Sequence, residues 1–310
     1  MRNRVRRASA ILLLCAPLAC VAMTAPAAAS TGASPSGRPE YSPAASAKAP
    51  ARRHRRARRA PPGGCYARSA IVLDPATGQV LYEKNASVAV PIASLTKLMT
   101  ALVFLEQKPD LDRVAEVSRE ELRGAGHTRL RNHERVVLRD LLHMSLMCSD
   151  NAATRVLVRE SALDSEDYLA RMNQKALELG LTHTRYVEFT GLDERNVSTA
   201  ADVARLLRIA ANDPTIHPIS IRRSYEFRSE SRRPHMVANT NRLLYGRYQV
   251  LGGKTGFIQE SGYCLATWLR ASGRDMIAVV LGAPTNATRF ADVVRLVQKT
   301  LSASATASQS

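Results

Sequence analysis

The stretch PIASLTKLMT at residues 91–100 places a serine and a lysine three residues apart at the start of a helical pattern. Residues three apart on a helix share a face, so Ser94 and Lys97 point the same way. A serine hydroxyl becomes a good nucleophile when a base takes its proton. A lysine amine is such a base if burial or nearby positive charge lowers its pKa. Alone, the pattern fits an N-capping serine and a solvated lysine better.

A second motif, Ser149-Asp150-Asn151, lies between two helical patterns. The Ser149 hydroxyl can relay a proton towards a leaving group. The Asn151 amide can both donate and accept hydrogen bonds, to Lys97 and to a substrate amide. Alone, the tripeptide is an ordinary helix cap, because Ser, Asp and Asn are the preferred capping residues.

A third motif, Lys254-Thr255-Gly256, lies on a strand pattern. Lys254 would supply positive charge for a substrate carboxylate and lower the pKa of Lys97, and Thr255 would hydrogen-bond that carboxylate. Gly256 lets a peptide lie close to the strand. Alone, the segment fits an exposed strand with a surface lysine. The ordered trio is far more specific than its parts, because penicillin-binding proteins and class A β-lactamases share it.

From about residue 67 to 301 the chain resembles the low-molecular-mass D-alanyl-D-alanine peptidases of serine peptidase family S11. Besides the trio, the stretches DPATG at 74–78, TGL at 190–192 and NTN at 239–241 are similar to family stretches. The segment KTGFI at 254–258 most resembles the endopeptidase subgroup of penicillin-binding protein 7. The resemblance implies the penicillin-recognising fold, with a helical subdomain, and a D-alanyl-D-alanine carboxypeptidase or endopeptidase that remodels the cell wall.

The resemblance also implies the roles of the catalytic residues. Ser94 attacks the carbonyl between two D-alanine-type residues and forms an acyl-enzyme, with Lys97 as general base. Ser149 and Asn151 assist proton transfer and substrate placement. Peptidoglycan stem peptides are the implied substrates and β-lactams the implied inhibitors, with neither a metal nor an organic cofactor.

The same resemblance assigns the substrate-binding residues. Lys254 and Thr255 hold the terminal carboxylate, and Gly256 lets the substrate approach the strand. The backbone N–H groups of Ser94 and Phe257 form the oxyanion hole. Such donors matter, because losing one typically lowers the rate by about 10²–10³-fold.

Two other functions compete with this interpretation. A class A β-lactamase carries an E-x-x-L-N stretch after the second motif, and none occurs between Asn151 and Lys254. A non-catalytic wall-binding protein would not need the complete set of catalytic residues found here. The preference between carboxypeptidase and endopeptidase stays open. The small polar tail from Ser302 gives no amphipathic anchor, which favours a soluble or wall-associated endopeptidase.

The order of patterns along the chain predicts an α+β fold, with an antiparallel sheet flanked by helices. A hairpin at the turn 74–78 opens the domain, and helical patterns fill much of 94–212. Three strands follow at 253–257, 263–269 and 276–281, and a helix with its apolar face towards the sheet covers 290–301.

The amino-terminal part predicts export. Residues 1–29 combine a basic start, an apolar run and an Ala-rich cleavage site, which is typical of a signal peptide. A membrane anchor is the alternative, but the run is short and Pro17 interrupts it. Residues 30–64 predict a disordered linker, 65–302 the peptidase domain and 303–310 a flexible tail. The protein is therefore expected in the periplasm or at the cell wall.

Most of the net charge of +17 lies on the residues that precede the domain. Residues 65–310 are more nearly balanced, with 32 basic and 26 acidic residues. The arginine run at 52–59 lacks the interleaved aromatic residues that stack on bases, and an exported protein rarely meets nucleic acid. We therefore expect a solvated linker, or one that associates with anionic envelope polymers, and no nucleic-acid partner.

Three cysteines remain after the predicted cleavage: Cys65, Cys148 and Cys264. The odd number excludes a fully paired disulfide framework within one chain, and no cysteine or histidine cluster has metal-ligand spacing. At most one intrachain disulfide is possible. Cys148, beside Ser149, is expected to be a packed thiol.

Overall fold

The computed structural model describes residues 64–307. The predicted signal peptide and the arginine run lie outside the described residues. The domain opens with the predicted hairpin, formed by strands β1 (Ser69–Leu73) and β2 (Val80–Lys84). Asp74 fixes its turn, because its carboxylate accepts hydrogen bonds from the backbone N–H groups of Ala76 and Thr77.

The three late strands are β9 (Gln249–Ile258), β10 (Gly262–Ala271) and β11 (Arg274–Ala283), each containing one predicted strand. Together with the hairpin they form a five-stranded antiparallel sheet with the order β2-β1-β11-β10-β9. Strand β9 lies at one edge and carries the third motif.

Short strands and turns support the loops around the sheet. Three further strand pairs are β3 (Val90–Pro91) with β6 (Val197–Ser198), β4 (Val114–Glu116) with β5 (Arg135–Val137), and β7 (Ser224–Arg228) with β8 (Pro234–Ala238). The 3-10 turns span Ala93–Leu95 and Arg242–Tyr245, and a π-helical turn spans Met144–Cys148.

The described part of the chain forms eight helices. They are α1 (Thr96–Glu106), α2 (Arg119–Leu122), α3 (Leu138–His143), α4 (Asn151–Arg159), α5 (Ser165–Glu178), α6 (Ala200–Ala210), α7 (Ile216–Ser220) and α8 (Asn286–Ala307). Helix α8 continues past residue 302, so the predicted boundary between domain and tail falls inside this helix. None of the described helices combines the length and apolarity that crossing a membrane requires.

Two hydrophobic cores form because successive side chains of a strand face opposite sides of the sheet. On β10, Leu265 packs in the core under α8, while Ala266 packs in the core shared with the other helices. Helix α1 is buried on nearly all sides within the second core, including Leu98 and Met99. This arrangement confirms the predicted α+β fold and places the start of α1 against the sheet.

Candidate active site

Ser94 lies at the turn that leads from β3 into α1. Ala93 has a left-handed backbone with φ of +48°, and its carbonyl accepts a 2.8 Å hydrogen bond from Thr96 Oγ1. This bond closes the turn between β3 and α1. The Ser94 side chain is left half-buried at the start of α1.

A loop held by Glu188 forms one wall of the site. The Glu188 carboxylate accepts hydrogen bonds from the backbone N–H of Thr190 at 2.7 Å and from its hydroxyl at 2.6 Å. It also accepts hydrogen bonds from the N–H groups of Gly191 and Leu192 and from the Asn196 side chain. These bonds fix the Thr190 carbonyl in the direction of Lys97.

Lys97 lies at the centre of the site. Its Nζ atom donates hydrogen bonds to Ser94 Oγ at 3.1 Å, Asn151 Oδ1 at 2.6 Å and the Thr190 carbonyl at 2.5 Å. The side chain is fully buried. Burial lowers the pKa of Lys97 to about 7, although the negative charge of Glu188 opposes this effect. A large fraction of the amine is therefore neutral near pH 7, as a base must be.

The second motif follows the π-helical turn. Ser149 has a left-handed backbone with φ of +66°, and Asp150 caps α4 by accepting a hydrogen bond from the Ala153 N–H. The Asn151 Nδ2 atom donates to the Ala125 carbonyl at 2.8 Å. That bond orients the amide so that its oxygen faces Lys97.

The third motif reaches the same place from β9. Lys254 Nζ donates to Ser149 Oγ at 2.8 Å and to the Thr255 carbonyl at 3.0 Å. The Thr255 hydroxyl is 2.6 Å from that of Thr240, which donates to the Met147 carbonyl at 3.1 Å. Burial, followed by the positive charge of Lys97, lowers the pKa of Lys254 well below its ordinary value.

The close approach of β9 to the serine turn depends on Gly256. A Cβ atom at Gly256 would lie 2.9 Å from the Ile92 carbonyl oxygen and 3.1 Å from the Ser94 nitrogen. Phe257 directly follows Gly256 on β9. The Ser94 N–H and Phe257 therefore border the same narrow space between β9 and the serine turn. Behind the strand, buried Arg289 donates to the Gly256 carbonyl at 3.0 Å.

The cysteines behave as packed thiols. Cys65, Cys148 and Cys264 are all free. Cys148 donates a 3.2 Å hydrogen bond to the Met144 carbonyl, and burial raises the pKa of its thiol to about 11, which fits the expected packed thiol. Within residues 64–307, no three His, Cys, Asp or Glu side chains are placed to hold a metal ion.

Hydrogen bonds and backbone contacts bring the sequence-predicted site residues together where the starts of α1 and α4 meet the edge strand β9. They are Ser94, Lys97, Ser149, Asn151, Lys254, Thr255, Gly256 and Phe257. Sequence reasoning missed Glu188, Thr240 and Arg289. The family-like stretches TGL at 190–192 and NTN at 239–241 lie beside Glu188 and include Thr240. No pattern in the sequence indicated which residues these side chains would contact.

We expect Gly191→Ala to destabilise the protein and to displace Ser94. Gly191 has φ of +84°, and a Cβ atom there would lie 2.0 Å from the Ala93 carbonyl oxygen and 2.7 Å from the Ser94 nitrogen. Overpacking of this kind costs about 1–3 kcal/mol, and the left-handed backbone adds about 1–2 kcal/mol. Thermal unfolding monitored by circular dichroism measures the effect.

The matched control for this prediction is Gly124→Ala. Gly124 has φ of +64°, but nothing lies within 4 Å of a Cβ atom there, so it isolates the backbone cost. Equal losses of stability in the two variants would show that the contact with Ala93 is unimportant.

The class of protein follows from three features: the antiparallel sheet, Ser94 at the start of a buried helix, and the two buried lysines Lys97 and Lys254. They define an active-site serine hydrolase in which a lysine takes the place of the base. Residues 56–285 match the D-alanyl-D-alanine carboxypeptidase family, peptidase S11. The chain belongs to this family. The match confirms the family predicted from the sequence.

Individual relatives agree with this assignment. The chain is 39% identical to a D-alanyl-D-alanine endopeptidase of Pseudomonas aeruginosa, covering 74% of this chain and 75% of that protein. It is 34% identical to a D-alanyl-D-alanine endopeptidase of Escherichia coli K12, with the same coverage. The crystal structure of the Streptomyces K15 DD-transpeptidase superposes with a TM-score of 0.72 at 25% identity, over 77% of this chain and 98% of that one.

Proposed function

We propose that the protein is a penicillin-sensitive D-alanyl-D-alanine peptidase that cuts peptidoglycan peptides through an acyl-enzyme on Ser94. One observation carries the proposal: the fully buried Lys97 amine, with its lowered pKa, contacts both Ser94 Oγ and Asn151 Oδ1. The family and the names of the relatives support the same substrate class.

Acylation begins when Ser94 Oγ attacks the carbonyl carbon of the penultimate D-alanine. The Ser94 proton passes to the neutral amine of Lys97, and negative charge develops on the carbonyl oxygen. The backbone N–H groups of Ser94 and Phe257 stabilise that oxygen. The approach of β9 to the serine turn at Gly256 supports this placement.

The C–N bond then breaks, and the leaving amine takes a proton through Ser149. The 2.8 Å bond from Lys254 to Ser149 supports such a relay. Lys254 and Thr255 hold the carboxylate of the leaving residue. Water next attacks the ester, Lys97 accepts its proton, and the D-alanine carboxylate leaves as Ser94 regains a proton.

We expect penicillin to give a burst of one equivalent followed by slow turnover. Rapid hydrolysis of the acyl-enzyme needs a free carboxylate to activate water, as in class A β-lactamases. Here Arg195 binds Asp193 and lowers its pKa to about 2, and backbone and side-chain donors surround Glu188. Stopped-flow measurement with a chromogenic β-lactam tests this, and sustained fast turnover would favour a β-lactamase instead.

We expect the acylation rate to rise as the pH is increased through about 7. The reactive form of Lys97 is the neutral amine, and burial lowers its pKa to about 7, so protonation at lower pH removes the base. The second-order rate of acylation by penicillin, measured from pH 5 to 9, tests this. A rate that is flat across this range would exclude Lys97 as the base.

Defined muropeptides test the peptide activity directly. Loss of one D-alanine from monomers identifies a carboxypeptidase, and conversion of dimers to monomers identifies an endopeptidase. Mass spectrometry of the products distinguishes the two. Absence of both products, with active substrate controls, would contradict the proposed function.

We further propose that residues 1–29 direct export and that the enzyme works in the periplasm or at the cell wall, where it remodels peptidoglycan. The signal-like composition and the location of the substrate support this proposal. The arginine run at 52–59 would then attract anionic envelope polymers. Deletion of 50–60 should reduce salt-sensitive retention on isolated envelopes, and unchanged retention would exclude this role.

A further inference from the structure

The positive charge of the domain is concentrated on two segments, 127–135 and 222–247. Together these segments hold 10 arginines, against the 3 carboxylates of Glu134, Glu226 and Glu230. The remainder of 65–310 holds 22 basic and 23 acidic residues, so it is close to neutral. The excess charge of the domain is therefore a local feature, separate from the arginine run at 52–59.

Tertiary contacts bring the two segments together around the hairpin of β7 and β8. Arg129 donates a 2.8 Å hydrogen bond to the Met236 carbonyl on β8. In the turn of the hairpin, the Ser231 hydroxyl accepts a 2.9 Å hydrogen bond from the Arg135 N–H. The two segments therefore form one basic surface, which we call the hairpin surface.

Most arginines of the hairpin surface are free to bind an anion. Nine are exposed, and they are Arg129, Arg131, Arg135, Arg222, Arg223, Arg228, Arg232, Arg242 and Arg247. The tenth, Arg233, pairs with the buried carboxylate of Glu134 at 3.6 Å. The other arginine ion pairs within residues 64–307 lie outside the two segments, so none of the nine is neutralised in this way. Because a guanidinium binds phosphate through two parallel N–H bonds, the surface fits a partner that presents several phosphate groups.

The outer face of β8 adds an apolar row to this surface. Pro234, Met236 and Ala238 are exposed and alternate with the buried side chains of His235 and Val237. Met236 is 57% exposed, which is unusual for a large apolar side chain. An apolar row among arginines is typical of a surface that lies on anionic lipid, with apolar groups between the headgroups and cations at the phosphates.

The neighbouring residues agree with an interfacial position. The Tyr245 hydroxyl donates to the Arg223 carbonyl at 2.6 Å, and the Arg223 guanidinium lies 5.7 Å from the centroid of the exposed Tyr245 ring. Tyrosine is enriched at the interface between membrane and water. On β7 the outward side chains are Ser224, Glu226 and Arg228, so the carboxylate of Glu226 has an arginine on the same face.

We infer that the hairpin surface docks on a membrane that contains anionic phospholipids. A soluble polyanion would match the arginines but would leave the apolar row in water, whereas a lipid surface buries that row as well. Strand β8 ends two residues before Thr240, whose hydroxyl is 2.6 Å from that of Thr255. Docking therefore places the candidate active site close to the membrane. The inference does not depend on the chemistry at Ser94.

Flotation of the complete exported protein with lipid vesicles tests the inference. We expect binding to phosphatidylcholine vesicles that contain one third phosphatidylglycerol, and little binding to phosphatidylcholine alone. Every variant below keeps the arginine run at 52–59, so a difference between variants measures the hairpin surface alone. Equal binding to the two kinds of vesicle would overturn the inference.

Two arginines at the tip of the hairpin test the charge. The double variant Arg228→Gln with Arg232→Gln should bind the anionic vesicles at least about tenfold more weakly, because each arginine near an anionic surface contributes about fivefold. The matched control is Arg185→Gln with Arg205→Gln, which removes the same charge at exposed positions outside the two segments. Equal losses in the two double variants would show that only net charge matters, against a docking surface.

The apolar row distinguishes lipid from a soluble polyanion. Met236→Ser should weaken vesicle binding about tenfold, because the side chain is buried among lipids on docking, and should leave binding of soluble polyphosphate unchanged. Leu177→Ser, at a 69% exposed residue of α5, is the control and should alter neither. Unchanged vesicle binding by Met236→Ser would overturn the lipid assignment.

Penicillin acylation in solution should be the same in all these variants, because none of them alters a residue of the candidate active site. Thermal unfolding should show that each variant is folded. Failure of the unsubstituted protein to react with penicillin would contradict the proposed function, while the vesicle measurements would still decide the docking surface.

Discussion

Replacement of Ser94 by alanine is expected to abolish covalent labelling by fluorescent penicillin and to lower peptide cleavage by at least about 10³-fold, since loss of the nucleophile removes the acyl-enzyme route. Ser94 is half-buried at the start of α1, and its hydroxyl accepts one hydrogen bond, from Lys97. The fold should not depend on this atom. Gel fluorescence after labelling, together with kcat/KM for a defined muropeptide, measures the effect.

Ser165→Ala is the matched control, because Ser165 is an exposed serine in the first turn of another helix, α5. It should label and cleave as the unsubstituted protein does. Thermal unfolding should show that both variants are folded. Labelling of a folded Ser94→Ala variant would contradict the assignment of the nucleophile.

Replacement of Lys97 by methionine is expected to lower the acylation rate by about 10²–10⁴-fold, the usual contribution of a general base. Methionine resembles lysine in length but has no amine to accept the Ser94 proton. The second-order rate of penicillin acylation at pH 8 measures the effect. A rate within tenfold of that of the unsubstituted protein would mean that another group is the base.

Lys97→Arg separates loss of the base from the cost of burying a charge. A guanidinium stays protonated in proteins, so it can neither act as the base nor become neutral in this fully buried position. We therefore expect this variant to be inactive and also less stable to heat than Lys97→Met. The conservative change Lys108→Arg, at an exposed residue, should alter neither activity nor stability.

The sequence predicted most of the local structure because local structure follows from neighbouring residues. The turn chemistry of DPATG predicted the hairpin, and apolar spacing predicted α1, α8 and the strands β9 to β11. The sequence did not predict the π-helical turn Met144–Cys148. The helical spacing continues through this segment, and nothing in the periodicity marks the change of hydrogen bonding.

The sequence by itself therefore determined the family, the α+β fold and the residues of the three motifs, since these depend on residue type and spacing. The tertiary structure alone decided how the motifs meet: Lys97 contacts Asn151 across 54 residues, and Lys254 contacts Ser149 across 105. It also placed Glu188 beside Lys97. The physical reason is that contacts between distant segments of the chain depend on how the whole domain packs and not on the spacing of neighbouring residues. Burial by those distant segments is also what lowers the pKa of Lys97.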